Sequence, residues 1–203
     1  MYYNILSIDI GVKHLSLVST EVYQYTHQLS KIISIDLVDI TLYTHNIINE
    51  NECQLYHNKT FYDWIRHIVQ EYQLLFDNSD IILLERQPPQ GFVVVEQLLF
   101  GFFRNKSILL APNSVHKFHN FQQLDYDQRK IASEIIALPY LTEELRIKLK
   151  TLDRAHDITD AILQLLFYLS KQINEINLST LSIKDDEKEE NNIVKHSIND
   201  LER

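Results

Sequence analysis

The chain has 203 residues, of which 45% are hydrophobic, and it carries a formal net charge of -9. This length suits one compact domain with one core, and a content of three glycines and four prolines excludes collagen-like, repeat and Gly-rich linker proteins. The negative charge argues against tight, sequence-independent binding of nucleic acid over the whole surface. Any contact with nucleic acid must therefore come from a local basic surface.

Cysteine usage and apolar runs indicate the compartment. The single cysteine, Cys53, excludes an internal disulfide framework and a cysteine zinc site; it is interpreted as an ordinary free thiol in a reducing compartment. The first residues lack the basic segment of a secretory signal, and no apolar run approaches the ~18 residues that a membrane helix needs. We therefore expect a soluble, intracellular protein with no membrane partner.

Three strands are predicted at the start of the chain. The pattern of apolar and polar side chains indicates strands over Tyr3–Ile10, His14–Thr20 and Lys31–Thr41, with a polar hairpin loop over Glu21–Ser30. Gly11 ends the first strand at a turn. Because short connections join these strands, they should form an antiparallel meander.

Helices and strands alternate in the rest of the chain. A strand that is reached through a helix usually runs parallel to the earlier strand, so the fourth strand should lie parallel to the first. The predicted fold is α/β, an RNase H-like mixed five-stranded sheet with three antiparallel and then two parallel strands, flanked by helices. In order, the segments are a helix from near Thr60 to Leu75, strand Asp80–Glu85, helix Val93–Phe103, strand Ser107–Ala111, and helices Asp127–Leu138, Thr142–Lys150 and Ala155–Ile173.

The C-terminal part differs in composition from the rest. The apolar period fades after Asn174, and residues 184–192 form a solvated charge run. Residues 178–203 hold seven acidic and four basic side chains. We expect residues 1–174 to form one domain and residues 175–203 an acidic, flexible tail in which a short terminal helix can form.

Two acidic side chains are placed at the ends of predicted strands. Glu85 follows the apolar run Ile81–Leu84, and burying its carboxylate costs several kcal/mol unless an arginine, backbone amides or a metal compensates. Arg86 points to the opposite face of a strand and is a poor partner. Asp9 lies near the end of the first strand, and parallel neighbours stand ~4.8 Å apart. The two carboxylates should therefore be able to hold the same cation.

Two more acids lie near the start of the last predicted helix. Asp157 and Asp160 are three residues apart and project from one helix face. An alternative without metal is charge complementarity at the helix N-terminus, with Asp157 or Thr159 as the cap. Asp160 weakens that alternative because the apolar run from Ala161 follows it directly. Together the four acids predict two Mg²⁺ ions, with Mn²⁺ tolerated, suited to phosphodiester hydrolysis.

These motifs resemble a known family. Ile8-Asp9-Ile10-Gly11, Leu83-Leu84-Glu85-Arg86-Gln87-Pro88 and Asp157-x-x-Asp160-Ala161 are similar to the RuvC-type Holliday junction resolvases of the RNase H-like superfamily, above all to the poxvirus branch. The similarity extends to Gly101-Phe102 and Tyr126-x-x-Arg129-Lys130 and covers about residues 4–170. Fungal mitochondrial resolvases are similar around Glu85-x-Gln87.

The resemblance implies an activity and a site. Asp9, Glu85, Asp157 and Asp160 would be the catalytic acids, binding two Mg²⁺ ions per active site, with no nucleotide cofactor. The family implies a homodimer that cuts two strands of a four-way DNA junction symmetrically and leaves 5′-phosphate and 3′-hydroxyl ends. Its tasks would be DNA recombination, repair and replication, at the site of viral DNA replication in a host cell.

A local excess of basic side chains offers a surface for DNA. Residues 101–154 carry nine basic and six acidic side chains, a net +3 within an acidic protein. The resemblance assigns Lys117 to phosphate contact or transition-state charge, with a solvent-exposed lysine as the alternative. Arg86, Arg129 and Lys130 are candidates for backbone phosphates, with surface charge as the alternative.

Three further kinds of side chain near the motifs have two interpretations. Gln87 is predicted to contact the scissile phosphate or to hydrogen-bond its own loop. Phe92 is predicted to wedge between bases or to pack in the core. His14, His116 and His156 are interpreted as surface or hydrogen-bonded histidines, although His156 adjoins Asp157 and is a minor candidate for proton transfer.

Two other classes of protein stay open. An actin-like sugar kinase also carries Asp-x-Gly at its first strand, but it needs further glycine-rich phosphate turns, and this chain has only three glycines. A catalytically silent junction-binding protein with the same fold is the non-enzyme alternative. The presence of all four acids argues against it.

Overall fold

The computed structural model describes residues 1–44, 55, 58 and 60–201, and for 43–44 and 179–201 it describes the backbone alone. Cys53, interpreted above as a free thiol, lies outside these residues. Within them, no helix combines the length and the apolar character that a bilayer crossing requires.

Five strands form one mixed sheet: β1 (Tyr2–Ile10), β2 (His14–Tyr23), β3 (Leu29–Asp39), β4 (Ile81–Glu85) and β5 (Ser107–Leu110). Their order across the sheet is β3-β2-β1-β4-β5. Strand β2 pairs antiparallel with β1 and β3, whereas β4 runs parallel to β1 and β5. The predicted fold class is confirmed.

The hairpin between β2 and β3 is tighter than predicted. The predicted loop Glu21–Ser30 is wrong in its bounds because both strands continue into it, and the turn closes with the Tyr23 N–H donating to the Gln28 carbonyl over 2.9 Å. The polar residues of this segment favour a loop by composition, but Glu21 pairs across the ladder with Lys31. Charged side chains of opposite sign suit facing positions of an exposed antiparallel pair.

Seven α-helices and three short 3₁₀ segments connect and cover the strands in the described part of the chain. The α-helices are α1 (Phe61–Glu71), α2 (Gln73–Asp77), α3 (Val93–Phe102), α4 (Pro112–Phe118), α5 (Tyr126–Ala137), α6 (Glu143–Lys150) and α7 (Ala155–Leu201).

Two helix predictions need correction. The single helix predicted from near Thr60 to Leu75 is divided at Tyr72 into α1 and α2. Helix α4 is absent from the sequence prediction, in which Pro112 only ends a strand. Proline is well suited to the first position of a helix, where its missing N–H would have no partner in any case. This seven-residue helix proves important for the candidate site.

The last helix extends beyond its predicted end at Ile173 and continues to Leu201. Residues 174–201 contain no glycine or proline, so nothing in the backbone chemistry interrupts the helix, and several glutamates and lysines favour it. That residues 1–174 form the domain and 175–203 a flexible tail stays a prediction.

The sheet separates two apolar cores. Along β1, Leu6 and Ile8 pack on the side of α1 and α3, whereas Ile5 packs on the side of α7. Each fully buried leucine or isoleucine contributes roughly 1.5–3 kcal/mol to stability. Because side chains alternate along a strand, Ser7 and Asp9 lie on the same side as Ile5. The polar residues of β1 therefore face α7.

Candidate active site

Asp9 and Glu85 meet at the end of two parallel strands. The pairing of β1 and β4 ends at Ile8 opposite Leu84, one residue before the two acids. Their side chains hydrogen-bond to each other, and the Ile10 N–H donates to the Glu85 carboxylate. The predicted juxtaposition of the two carboxylates is therefore present in the structure.

Helix α7 brings the third carboxylate. The Ser7 hydroxyl donates a buried hydrogen bond of 2.8 Å to the Ala161 carbonyl, which fixes the helix against β1. Asp160 then joins Asp9 and Glu85 in lining a cavity of about 40 Å³. The other residues that line this cavity are Pro112, Val115, His116, Leu163 and Gln164.

All three carboxyl groups have a raised pKa, and burial is the largest cause for each. Burial, and then the charges of Glu85 and Asp160, raise the pKa of Asp9 well above its ordinary value of 3.8. Burial also raises the pKa of Glu85, although hydrogen bonds from Asp9 and Gln87 oppose the rise. Burial and the charges of Asp157 and Glu85 raise the pKa of Asp160 to about 7. A divalent cation bound by these carboxylates would favour their charged forms and so lower the pKa values again.

Asp157, the fourth predicted acid, is engaged by an arginine. Arg154 Nε donates to its Oδ2 over 2.6 Å, and Arg154 Nη2 donates to its Oδ1 over 3.0 Å. The His156 Nε2 atom lies 3.0 Å from the same Oδ1 but makes no hydrogen bond of acceptable geometry. Asp157 does not line the cavity with the other acids, although its charge raises the pKa of Asp160.

Neither Asp157 nor Thr159 caps the helix with its side chain. Asp157 accepts from Arg154, and the Thr159 hydroxyl donates to the His156 carbonyl over 2.9 Å. The Thr159 hydroxyl also lies 3.0 Å from the Ser133 hydroxyl, which ties α7 to α5. The side-chain cap is therefore not formed by either residue, although Asp157 does lie in the first turn of the helix, where a negative charge is favoured.

The loop after β4 orients Glu85. Gln87 Nε2 donates to Glu85 Oε2 over 2.8 Å, and Gln87 Oε1 accepts from the Phe92 N–H over 3.2 Å. The Gln87 N–H donates to Glu96 Oε2 over 2.5 Å. A Cβ at Gly91 would lie 2.7 Å from Gln87 Oε1, so any larger residue at this position would displace the Gln87 side chain. Gln87 thus has the loop-bonding role that was one of its two interpretations.

The donor set suits a hard divalent cation. Three carboxylates converge on one cavity, and oxygen ligands are those that Mg²⁺ and Mn²⁺ prefer. Among the described side chains, however, no three His, Cys, Asp or Glu residues are arranged as a ready-made metal site. Recruiting Asp157 as a further ligand requires that it leave Arg154.

The four cations predicted to contact DNA differ in exposure, and their role in DNA binding stays a prediction. Lys117 on α4 is exposed and Arg86 is exposed beside Glu85. Arg129 is partly buried, and its charge lowers the pKa of Asp160. The Lys130 ammonium lies 4.0 Å from the centre of the Tyr126 ring.

Other side chains of the basic segment are committed to the fold. Lys106 donates to the Phe76 and Ser79 carbonyls over 2.7 and 2.9 Å. Lys148 pairs with Asp36 on β3 over 2.7 Å. The basic surface is therefore smaller than the sequence count of residues 101–154 indicated.

Phe92 is partly buried and packs edge-on against Phe61, with ring centres 5.5 Å apart. This is the core-packing arrangement of its two interpretations. The role of Phe92 as a wedge between bases stays a prediction.

Three residues of the site were missed at the level of sequence. His116 lines the acid cavity, and burial lowers its pKa. Gln164 Nε2 donates to Asp9 Oδ1 over 3.4 Å, and a glutamine inside the apolar run 161–169 was a signal that was not used. Arg154, three residues before Asp157, was counted only in the basic segment.

No family model matches the chain, and no curated protein matches it. Solved structures do match. The crystal structure of fowlpox virus resolvase with substrate Holliday junction DNA matches with a TM-score of 0.59 and 22% identity over 85% of this chain and 99% of that chain. The crystal structure of the fowlpox virus Holliday junction resolvase matches with a TM-score of 0.58 and 22% identity, over 83% and 99%.

RuvC from Thermus thermophilus matches with a TM-score of 0.45 and 12% identity, over 84% of this chain and 97% of that chain. Because the identity is 22%, the likeness to the two fowlpox virus structures shows the fold alone. The predicted resemblance to the fold of the poxvirus resolvases is confirmed.

Proposed function

We propose that the chain is a Mg²⁺-dependent endonuclease that resolves four-way DNA junctions and branched replication intermediates. The observation that carries the proposal is the convergence of Asp9, Glu85 and Asp160 on one cavity at the carboxyl ends of β1 and β4. The fold is that of a viral protein crystallised with Holliday junction DNA. Carboxylates so placed are the ligands that metal-dependent phosphodiester hydrolysis needs.

The proposed site holds two Mg²⁺ ions, for which Mn²⁺ substitutes, through Asp9, Glu85, Asp160 and a released Asp157. When bound, these ions supply Lewis-acid activation of the attacking water and charge for the leaving 3′-oxygen. Gln87 and Gln164 hold the carboxylates of Glu85 and Asp9 in position by hydrogen bonds. No nucleotide cofactor takes part.

Two exposed and two partly buried cations would bind the DNA backbone. In this proposal Lys117, Arg86, Arg129 and Lys130 contact phosphates, and they offset the negative charge of the chain locally. Two symmetric cuts in one junction require two active sites, so the working form is proposed to be a homodimer. Its place of action would be inside the cell, where viral DNA replicates.

Cleavage of a synthetic four-way junction tests the proposal. With Mg²⁺, the wild type should cut the junction, EDTA should stop it, and Asp9→Asn or Glu85→Gln should lower the rate at least about a hundredfold. A gel shift in Ca²⁺ should show that both variants still bind the junction. The exposed Asp127→Asn on α5 is a matched control that should cut normally.

The non-enzyme alternative has a different outcome. A protein that shifts the junction but cuts it in no divalent ion would be a binding module with the same fold. Full cleavage by Asp9→Asn or Glu85→Gln would defeat the nuclease proposal.

A further inference from the structure

The ion pair between Arg154 and Asp157 joins an exposed residue to a buried one. The side chain of Arg154 is 43% exposed, whereas that of Asp157 is 7% exposed. Both carboxylate oxygens of Asp157 accept from the guanidinium, at 2.6 and 3.0 Å. If the pair opens, the arginine is the partner with solvent to move into.

The same carboxylate stands next to the acid cavity. The charge of Asp157 acts on Asp9, Glu85 and Asp160. The charge of Arg154 in turn acts on Asp9. A divalent cation that binds at the cavity and recruits Asp157 would therefore approach the Arg154 guanidinium, and the two positive charges would repel each other. The guanidinium and the cation compete for Asp157.

A second binding partner for Arg154 is suggested by its neighbours. Lys130 and Arg154 both act electrostatically on His156, so both positive charges lie near that residue. Tyr126, which carries Lys130 over its ring, also lies within electrostatic reach of Arg154. Two neighbouring cations that are free to reach solvent favour a DNA phosphate.

We propose that Arg154 is a latch that holds Asp157 until a DNA phosphate binds the guanidinium, so that divalent metal binding at the carboxylates is coupled to DNA binding. The proposal rests on the proposed function and adds a regulation of the same site. Thermodynamic linkage makes the coupling reciprocal: DNA raises the affinity for metal by the factor by which metal raises the affinity for DNA. Arg154 is a positioning residue here, because it acts through Asp157.

Calorimetric titration of the full chain with Ca²⁺, with and without a four-way junction, tests the latch independently of cleavage. Without DNA, Arg154→Gln should bind Ca²⁺ on the order of tenfold more tightly than the wild type, because the competing charge is gone. When the junction is present, the wild type should bind Ca²⁺ more tightly by a similar factor. The junction should change the Ca²⁺ affinity of Arg154→Gln much less.

A charge-matched control is available on the same helix. Lys171→Gln removes one positive charge at an exposed position beside Phe167, away from the acids, and should bind Ca²⁺ as the wild type does. Thermal unfolding checks that the variants fold. If Arg154→Gln is unfolded, Arg154→Lys, which keeps the charge but loses the two-point contact, is compared in the same way.

Equal Ca²⁺ affinity of the variant and the wild type without DNA overturns the latch, as does a junction effect that is undiminished in the variant. Those outcomes leave the nuclease proposal standing when the wild type cuts the junction in Mg²⁺. The nuclease proposal fails in a different way: the wild type does not cut the junction, and Asp9→Asn binds Ca²⁺ as tightly as the wild type does.

Discussion

The Ser7 hydroxyl on β1 donates to the Ala161 carbonyl on α7 over 2.8 Å, directly beside the three carboxylates. This buried contact sets the distance at which Asp160 faces Asp9. Ser7→Ala removes the hydrogen bond and should lower the free energy of unfolding by about 1 kcal/mol. Ser7→Val adds volume where the side chain is fully buried, so it should cost about 1–3 kcal/mol and slow junction cleavage.

Urea unfolding and cleavage rates measure both effects. Ser114→Ala, at an exposed position of α4, is the control and should leave stability and cleavage unchanged. Normal cleavage by a folded Ser7→Val would show that the position of α7 is not critical for the site.

Alanine substitutions at two glycines should have opposite effects, one harmful to the site and one stabilising the fold. At Gly91 a Cβ would lie 2.7 Å from Gln87 Oε1 and 2.9 Å from Pro88 Cδ. Gly91→Ala should therefore displace Gln87, disorient Glu85 and slow cleavage roughly tenfold or more. At Gly101, inside α3, nothing lies within 4 Å of such a Cβ. Gly101→Ala should raise stability by up to about 1 kcal/mol through helix propensity.

Chemical denaturation and cleavage assays compare the two glycine variants. Equal effects of the two substitutions on cleavage would contradict the assigned role of the Gln87 loop.

The raised pKa of Asp160 predicts a pH dependence of stability. In the metal-free protein this pKa is about 7, against an ordinary value of 3.8. Below the ordinary value both the folded and the unfolded state hold the proton. Between the two values only the folded state holds it, so the free energy of unfolding should fall as pH rises, by up to about 4 kcal/mol, and then level off.

Urea unfolding in EDTA at several pH values measures this slope. Asp160→Asn cannot ionise and should flatten the profile and be the more stable protein at pH 8. An unchanged slope in Asp160→Asn would assign the titration to other groups.

Substitutions of Lys106 and Lys117 should have different effects, although both lysines belong to the basic segment 101–154. Lys106 donates to the Phe76 and Ser79 carbonyls, so Lys106→Met should cost about 2 kcal/mol of stability and leave junction affinity unchanged. Lys117 is exposed, and Lys117→Gln should keep stability and lower the salt slope of junction binding by about 1.

Fluorescence titration of a labelled junction at several salt concentrations, beside thermal unfolding, distinguishes the two lysines. Loss of junction affinity in a folded Lys106→Met would place that lysine on the DNA surface after all.

Local patterns were sufficient for much of the fold and for three of the acids. Strand periodicity located β1 and β4, and the alternation of side chains put Asp9 and Glu85 on one face, because that alternation is a property of the backbone. Asp160 follows Asp157 by three residues, and the regular geometry of a helix therefore placed it on the inner face of α7. The polar hairpin and α4 were misjudged, because exposed ladder pairs and a helix that begins at proline carry weak apolar patterns.

What the sequence by itself determined was the order of the elements, the parity of their side chains and the acids at the end of each element, because each of these follows from residues close together in the chain. Only the tertiary structure decided that His116 faces the cavity while Lys117 is exposed, that Lys106 supports the end of α2, and that Arg154 holds Asp157. These outcomes depend on the rotation of a helix or the rotamer of a long side chain, which packing between distant segments selects and no local period encodes.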